Sequence, residues 1–244
     1  MRIYDETIAT ELALLEQFSP SYVTVDVNSI EPWPDGGNND MIFGSDMAYE
    51  LGSGSLFAVS EQMMTVRSDF VSGNSIEVYG PDLTDISSNI SYGKIVLLKV
   101  KEDSFSSDDK TYDQIRAIQY TRYHIHPLGY MSRVSATSLR EQVRVSKSAV
   151  SDKISFNHVG RMIIDAYSKY PQVKAVRVIF ITRDDFDYKA LGELAKQSEH
   201  ITSALDHVLK DATMNCNSCN IKEICDEVEG MRELHFSTAQ YKER

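Results

Sequence analysis

Strand-like and helix-like patterns occupy different parts of this 244-residue chain, and that separation constrains the fold more than any other feature. Before residue 100, short runs at Leu56–Ser60, Ile76–Tyr79 and Ile95–Val100 are rich in β-branched and aliphatic residues and are bounded by turn formers. After it, Lys174–Thr182 (KAVRVIFIT) is the one clear strand. The order predicts an α+β fold, with strands mainly before residue 100, helices after it, and a mixed sheet covered by helices.

Apolar residues at helical spacing predict helices over 5–18, 111–126, about 136–150, 157–169 and about 187–210. The segment EPWPDGGNND at 31–40 is typical of a loop and holds the single tryptophan, Trp33. We expect three regions: an N-terminal helix and loop region at 1–50, an α+β domain at 51–212, and a small Cys-rich metal-binding tail at 213–244.

The charge and hydropathy pattern excludes several classes of protein. A formal net charge of −11 argues against general nucleic-acid binding, which depends on neutralising phosphates. No apolar run reaches the roughly 18 residues that a membrane span needs. The N-terminal sequence lacks the basic-then-apolar order of a signal peptide. We therefore predict a cytoplasmic protein that binds neither nucleic acid nor membrane.

All three cysteines, Cys216, Cys219 and Cys225, fall within ten residues in the sequence CNSCNIKEIC. An odd number cannot pair completely into disulfides, which favours a reducing compartment. A C-x2-C turn can direct two thiolates at one ion, and thiolates are ligands of zinc and of iron–sulfur clusters. The pattern predicts a metal site, and the alternative is a chance grouping of free thiols.

A fourth ligand has four candidates: His235, Asp226, Glu227 and water. Asp226 directly follows Cys225, so both side chains would reach the same ion with difficulty. His235 is better spaced, and we predict that it completes the site. Otherwise it is an ordinary surface histidine.

A second group of candidate residues is basic. On the predicted helix LREQVRVSKSAV, Arg140, Arg144 and Lys147 are spaced i, i+4 and i+7 and would share one face. Arginine can bind phosphate through two parallel hydrogen bonds, so this face is a candidate phosphate site. The alternative is a solvated face paired with nearby acids.

Two histidines alternate in His124-Ile125-His126. On an extended segment they would share a face and could hold a metal, but the helical pattern before them favours ordinary structural histidines. The sequence has no Ser-His-Asp arrangement, no GxGxxG motif and no Walker loop.

Several stretches resemble one known family in the same order along the chain. They are IEVYGPDLTDI at 76–86, YGKIVLLKVKEDSF at 92–105, QIRAIQYTRYHIHPLGYMSR at 114–133, REQVRVSKSAV at 140–150, FITRDDF at 180–186 and the cysteine segment. Together they resemble acetyl-CoA synthase, the β subunit of the carbon monoxide dehydrogenase/acetyl-CoA synthase complex of anaerobic metabolism. The resemblance runs from about residue 56 to 236 and covers the family's middle α+β domain and the start of its cluster domain.

The resemblance implies ligands and partners. Cys216, Cys219 and Cys225 match three of four cysteines that hold a [4Fe–4S] cluster in the family, and His235 stands near the fourth. Arg144 matches an arginine of a segment associated with coenzyme A, although Gln142 stands where the family has tryptophan. The resemblance also implies partner subunits of the complex.

The chain departs from the family at the nickel site. It has no Cys-Gly-Cys motif, and it ends nine residues after His235, so we do not expect complete acetyl-CoA synthase activity. The sequence predicts an accessory or regulatory protein with an iron–sulfur cluster or zinc. The alternatives are a CoA-binding enzyme component that acts with partner subunits, and an interaction module clamped by zinc.

Overall fold

The computed structural model of this protein describes residues 2–38, 41–43, 47–102, 111–134 and 141–209. Its strands are β1 (Tyr22–Thr24), β2 (Ala48–Leu51), β3 (Ala58–Thr65), β4 (Ser75–Tyr79), β5 (Tyr92–Val100), β6 (Tyr130–Val134), β7 (Glu141–Ser146) and β8 (Val173–Ile181). Its helices are α1 (Asp5–Leu15), α2 (Thr111–Tyr120), α3 (Lys147–Ser151), α4 (Phe156–Tyr167) and α5 (Tyr188–Leu209).

The main sheet has five strands in the order β1-β4-β8-β5-β3. The pairs β3–β5 and β4–β8 are parallel, whereas β1–β4 and β5–β8 are antiparallel, so the sheet is mixed. Strands β5 and β8 lie inside it, and their nearly continuous apolar sequences are buried, as expected for strands covered on both faces. The predicted α+β class with a mixed sheet is confirmed.

A second, smaller sheet is antiparallel, in the order β2-β7-β6. The two sheets touch where the hydroxyl oxygens of Tyr92 and Tyr130 lie 2.8 Å apart in a buried hydrogen bond. The expectation of a single strand after residue 100 was therefore wrong, because β6 and β7 also follow that residue.

Helices cover both faces of the main sheet. Adjacent residues of a strand point to opposite faces. In β5, the Tyr92 ring stacks on Phe156 of α4, while Gly93 lies against Leu191 of α5. Helices α4 and α5 therefore lie on opposite sides of the sheet. Helix α1 packs beside α5, where the Tyr4 hydroxyl bonds the Thr202 hydroxyl at 2.8 Å.

The loop that contains Trp33 is attached to the start of α4. Ser155 and His158 form a reciprocal capping box, in which each side chain accepts a hydrogen bond from the other residue's backbone N–H. The Trp33 ring stacks on His158 with centroids 4.8 Å apart, and its indole N–H donates to the Leu128 carbonyl at 2.9 Å. The cap thus fixes both the helix start and the loop.

The prediction of one helix over about 136–150 was wrong. Residues Glu141–Ser146 form β7, and helix α3 begins only at Lys147. The segment EQVRVS alternates polar and apolar residues, and β7 buries Val143 and Val145 while pairing with both neighbouring strands. Hydrogen bonding of this segment to two neighbouring strands stabilises the strand more than its helical spacing of apolar residues favours a helix.

Within the described residues, no helix is both long and apolar enough to span a membrane.

Candidate binding site

The basic residues predicted to share a helix face are arranged differently in the structure. Arg144 lies on β7 opposite Glu50, and its Nε donates to the Glu50 carboxylate at 2.8 Å. Lys147 begins α3 with its ammonium 5.4 Å from the centroid of the Tyr49 ring. Tyr49 and Glu50 are adjacent on β2 and point to opposite faces, so the two cations contact opposite faces of the small sheet. Arg140 lies outside the described residues.

Every predicted metal ligand, Cys216, Cys219, Cys225 and His235, also lies outside the described residues. Among the residues that are described, no cluster of three or more His, Cys, Asp or Glu side chains could hold a metal ion. His124 and His126 form no such cluster: the His124 Nδ1 is 3.0 Å from the Tyr120 carbonyl oxygen, and the His126 carbonyl accepts from Gly36.

A cavity of about 570 Å³ that could hold a ligand lies along β3, an edge strand of the main sheet. Its walls come from the loop before β3, from β3 itself, from α2 and the turn after it, and from the middle of α5. This volume is in the range of small-molecule sites. The edge of the sheet and two helices thus frame a binding-sized space.

A pair of carboxyl groups lies on the buried side of this cavity. Glu61 of β3 lines it and is 4% exposed, and Glu11 of α1, 1% exposed, interacts directly with Glu61. The Ser198 hydroxyl of α5 donates to Glu61 Oε2 at 3.1 Å. No other hydrogen-bond donor reaches Glu11 or Glu61 Oε1 within the part of the chain that is described, so the two carboxyls face each other. The pair joins α1, β3 and α5.

Burial shifts the ionisation of this pair. Loss of solvation raises the pKa of Glu61 to about 7, although the neighbouring Glu11 and the Ser198 hydroxyl favour its charged form. Burial, followed by the Glu61 charge, raises the pKa of Glu11 well above its ordinary value. Two carboxylates in contact cannot both ionise cheaply, so the pair keeps at least one proton at neutral pH.

The exposed side of the cavity is aromatic and basic. Phe57, Tyr120 and Tyr123 line it and are 47%, 55% and 41% exposed. Three basic residues, Arg116, Arg122 and Lys196, line the same space. The Arg122 guanidinium lies 4.9 Å from the Tyr123 ring centroid and donates to the Tyr123 hydroxyl at 2.7 Å. This wall can offer ring stacking, but its positive charge is partly offset, because Glu199 lines the same space and Lys196 pairs with Glu193 at 2.8 Å.

The sequence analysis did not identify this pair of glutamates, although the apolar patterns around each of them indicate a buried position. Glu11 occupies the same face of α1 as Ile8 and Leu15, which are both buried. Glu61 alternates with the buried Val59 and Met63 on one face of β3. An acidic residue at an inward position of each apolar pattern marks a buried carboxyl. Only the fold shows that the two meet.

A comparison with family models confirms the resemblance seen in the sequence. A model described as CO dehydrogenase/acetyl-CoA synthase complex beta subunit matches residues 37–186, which is more than half of the chain. The match includes β2 through β8 and ends before the cysteine segment. A search of curated proteins found no match. On the strength of the family match, this chain belongs to the family of the CO dehydrogenase/acetyl-CoA synthase complex beta subunit.

Proposed function

We propose that this chain is an accessory or regulatory member of its family that binds an iron–sulfur cluster or zinc and is not by itself a complete acetyl-CoA synthase. The observation that carries the proposal is the family match at 37–186 together with three thiols packed into ten residues farther along the chain. The sequence has no Cys-Gly-Cys motif of the kind that binds nickel in the family. The family description names a complex, which supports partner subunits as its binding partners.

The donor set at Cys216, Cys219, Cys225 and His235 fits either kind of metal centre. Three thiolates and one imidazole make a four-coordinate zinc site, and three thiolates can hold most of an iron–sulfur cluster. Thiolates bind metal only when deprotonated, so a bound metal would stabilise this segment and release protons. In this role the metal would join the four ligands into one site that a partner subunit could recognise.

Anaerobic purification followed by metal analysis tests the proposal. We expect about one zinc or one iron–sulfur cluster per chain, and we expect Cys219→Ala to lose more than about tenfold of the bound metal, because a thiolate ligand is removed. His235→Ala should also lose metal, whereas His200→Ala, a histidine of α5, should keep it. Metal-free protein from anaerobic cells, or equal metal content in all variants, would rule the proposal out.

A second candidate function is a CoA-binding enzyme component that uses Arg144 and Lys147, with Arg140. The supporting observation is a group of exposed apolar residues in the stretch of chain whose backbone Arg144 contacts. The Arg144 Nη1 donates to the Ile42 carbonyl at 3.3 Å, and Met41, Phe43 and Met47, from the same stretch of chain, are exposed. A surface that combines a guanidinium with exposed apolar side chains suits an amphipathic phosphate ester such as CoA. The existing bond to Glu50 would compete with it.

Calorimetric titration with CoA tests this second function. We expect Arg144→Gln to weaken CoA binding by at least about tenfold, because one charge-assisted bond to phosphate is lost. Arg183→Gln, at a partly exposed arginine paired with Asp185, is the matched control and should bind as the wild type does. Absence of any binding at millimolar CoA would remove this candidate while leaving the metal proposal intact.

A further inference from the structure

Strand β3 leaves one edge of the main sheet without a partner strand in the part of the chain that is described. It pairs with β5 on its other side. The Tyr92 N–H donates to the Phe57 carbonyl at 2.9 Å, and in a parallel pair alternate residues direct both backbone groups at the partner. Ala58, Ser60 and Gln62 therefore direct their backbone N–H and C=O groups away from β5. None of these groups has a hydrogen-bond partner among the described residues.

The sequence of β3 does not protect this edge. Natural sheets protect their edges with very short strands, with Pro or Lys, with bulges, or with a segment that covers the edge. β3 has eight residues, AVSEQMMT, with no Pro and no Lys, and it pairs with β5 without a register shift. Its single charged residue, Glu61, is buried against Glu11 and not exposed at the edge. We therefore expect a covering segment.

The space beside the edge has room for one extended segment. The cavity of about 570 Å³ runs along β3, and Ala58, Ser60 and Gln62 line it. Helix α2, the turn after it and α5 form other walls of the same space. Because helices stand on these sides, the space admits a single strand and not the edge of a second sheet. Phe57 and Tyr120 are exposed there, so alternate side chains of a strand could pack on their rings.

The C-terminal region of the chain is the segment best placed to fill this space. It begins where α5 ends, and Ser203 of that helix lines the cavity. The helix ends six residues later, about 9 Å farther along its axis. The region has 35 residues, from 210 to 244, and in extended form these span far more than the length of β3. The stretches 103–110 and 135–140 are shorter, and described residues hold both of their ends.

Within that region, residues 236–241 have the composition of a strand. Their sequence, FSTAQY, has no Gly, Pro or charged residue, and it includes both aromatic residues of the region, Phe236 and Tyr241. Aromatic and β-branched residues favour strands, and six residues is a typical strand length. The stretch contains none of the predicted metal ligands. It can therefore pair with β3 without removing a ligand from the metal site.

We propose that residues 236–241 add to the free edge of β3 as a sixth strand of the main sheet, paired to it through backbone hydrogen bonds. The outward groups of β3 belong to alternate residues and recur about every 6.6 Å, which is the repeat of any other extended backbone. The aromatic side chains of the segment pack against Phe57 and Tyr120. The pairing uses neither the metal ligands nor Arg144, so its outcome is separate from both functions proposed above.

Residue-resolved amide exchange in the full chain tests the added strand. An unpaired amide at a sheet edge exchanges quickly, whereas a hydrogen-bonded amide is protected. We expect the Ser60 and Gln62 amides to be protected in the wild type. In the double variant Thr238→Pro, Ala239→Pro they should exchange at least about tenfold faster, because one of two adjacent residues must direct its N–H at β3 and proline has none.

The double variant Ala212→Pro, Thr213→Pro is the matched control, since it makes two like changes in the same region but outside 236–241, and it should leave the exchange unchanged. Metal content measured on the same samples reports separately on the metal proposal. Fast exchange of Ser60 and Gln62 in the wild type, or equal protection in all three proteins, would overturn the inference. Protection that falls on dilution would also overturn it, because the strand would then come from a second copy of the chain.

Discussion

Replacing Arg177 by methionine is expected to lower the free energy of unfolding by about 3 kcal/mol, because it leaves a buried carboxylate without its partner. Arg177 of β8 donates two parallel hydrogen bonds to Glu77 of β4, at 2.6 and 2.9 Å, and a third to the Phe70 carbonyl at 3.0 Å. The two side chains are only 20% and 10% exposed. Without the guanidinium, Glu77 keeps one weak bond, from the Tyr79 hydroxyl at 3.3 Å.

Urea unfolding measures this loss, and two further variants interpret it. Arg183→Met breaks a more exposed arginine–aspartate pair at the end of β8 and should cost about 1 kcal/mol or less. The double change Glu77→Leu with Arg177→Met removes both charges and should recover at least half of the loss, since an apolar pair can replace a buried ion pair. A cost for Arg177→Met no greater than that for Arg183→Met would contradict the prediction.

The carboxyl pair of Glu11 and Glu61 should make the protein less stable as the pH rises. An unfolded glutamate ionises near 4.5, while burial raises the pKa of Glu61 in the fold to about 7. Between these values the folded state holds more protons than the unfolded state, so the free energy of unfolding falls with increasing pH. The fall begins near pH 4.5 and reaches about 3 kcal/mol above pH 7 for Glu61 alone.

The variant Glu11→Gln isolates this effect without altering the wall of the cavity. An amide next to Glu61 can donate to the carboxylate and removes the competing charge, so we expect the variant to be more stable than the wild type by about 2 kcal/mol at pH 8.5. Near pH 4.5 the difference should vanish, because both glutamates are then protonated in the fold. Urea unfolding at the two pH values gives both numbers.

Glu6→Gln controls for the loss of one acidic residue from α1 and should have the same pH profile as the wild type. Histidines titrate in the same range, and burial lowers the pKa of His158, which makes the fold more stable as pH rises. That contribution is common to all the variants, so the comparison between Glu11→Gln and the wild type removes it. A Glu11→Gln profile parallel to the wild-type profile would contradict the prediction.

Much of the fold followed from local patterns. Continuous β-branched runs predicted β4, β5 and β8 to within a few residues, because strands buried on both faces need little tertiary information to be recognised. Helices α1, α4 and α5 were predicted for the corresponding reason, since their apolar positions recur at helical spacing. The family followed from short motifs in a fixed order, and the match over 37–186 confirmed it.

The sequence did not predict the small sheet. Strand β7 has only six residues, and it lies within the segment of about 136–150 for which apolar residues at helical spacing predicted a helix. Its register with Glu50, and therefore the ion pair of Arg144, depends on the distant strand β2. Pairing of strands that are far apart in sequence is set by tertiary packing and not by local propensity.

By itself, the sequence determined the α+β class and the family, and it placed three thiols within ten residues that make a metal site worth testing. Each of these results depends on local composition and spacing alone. Only the tertiary structure decided that β3 forms an edge of the main sheet and that Glu11 meets Glu61 beside a cavity. These residues are fifty positions apart, and no local pattern encodes a contact that arises when a helix, a strand and a second helix pack together.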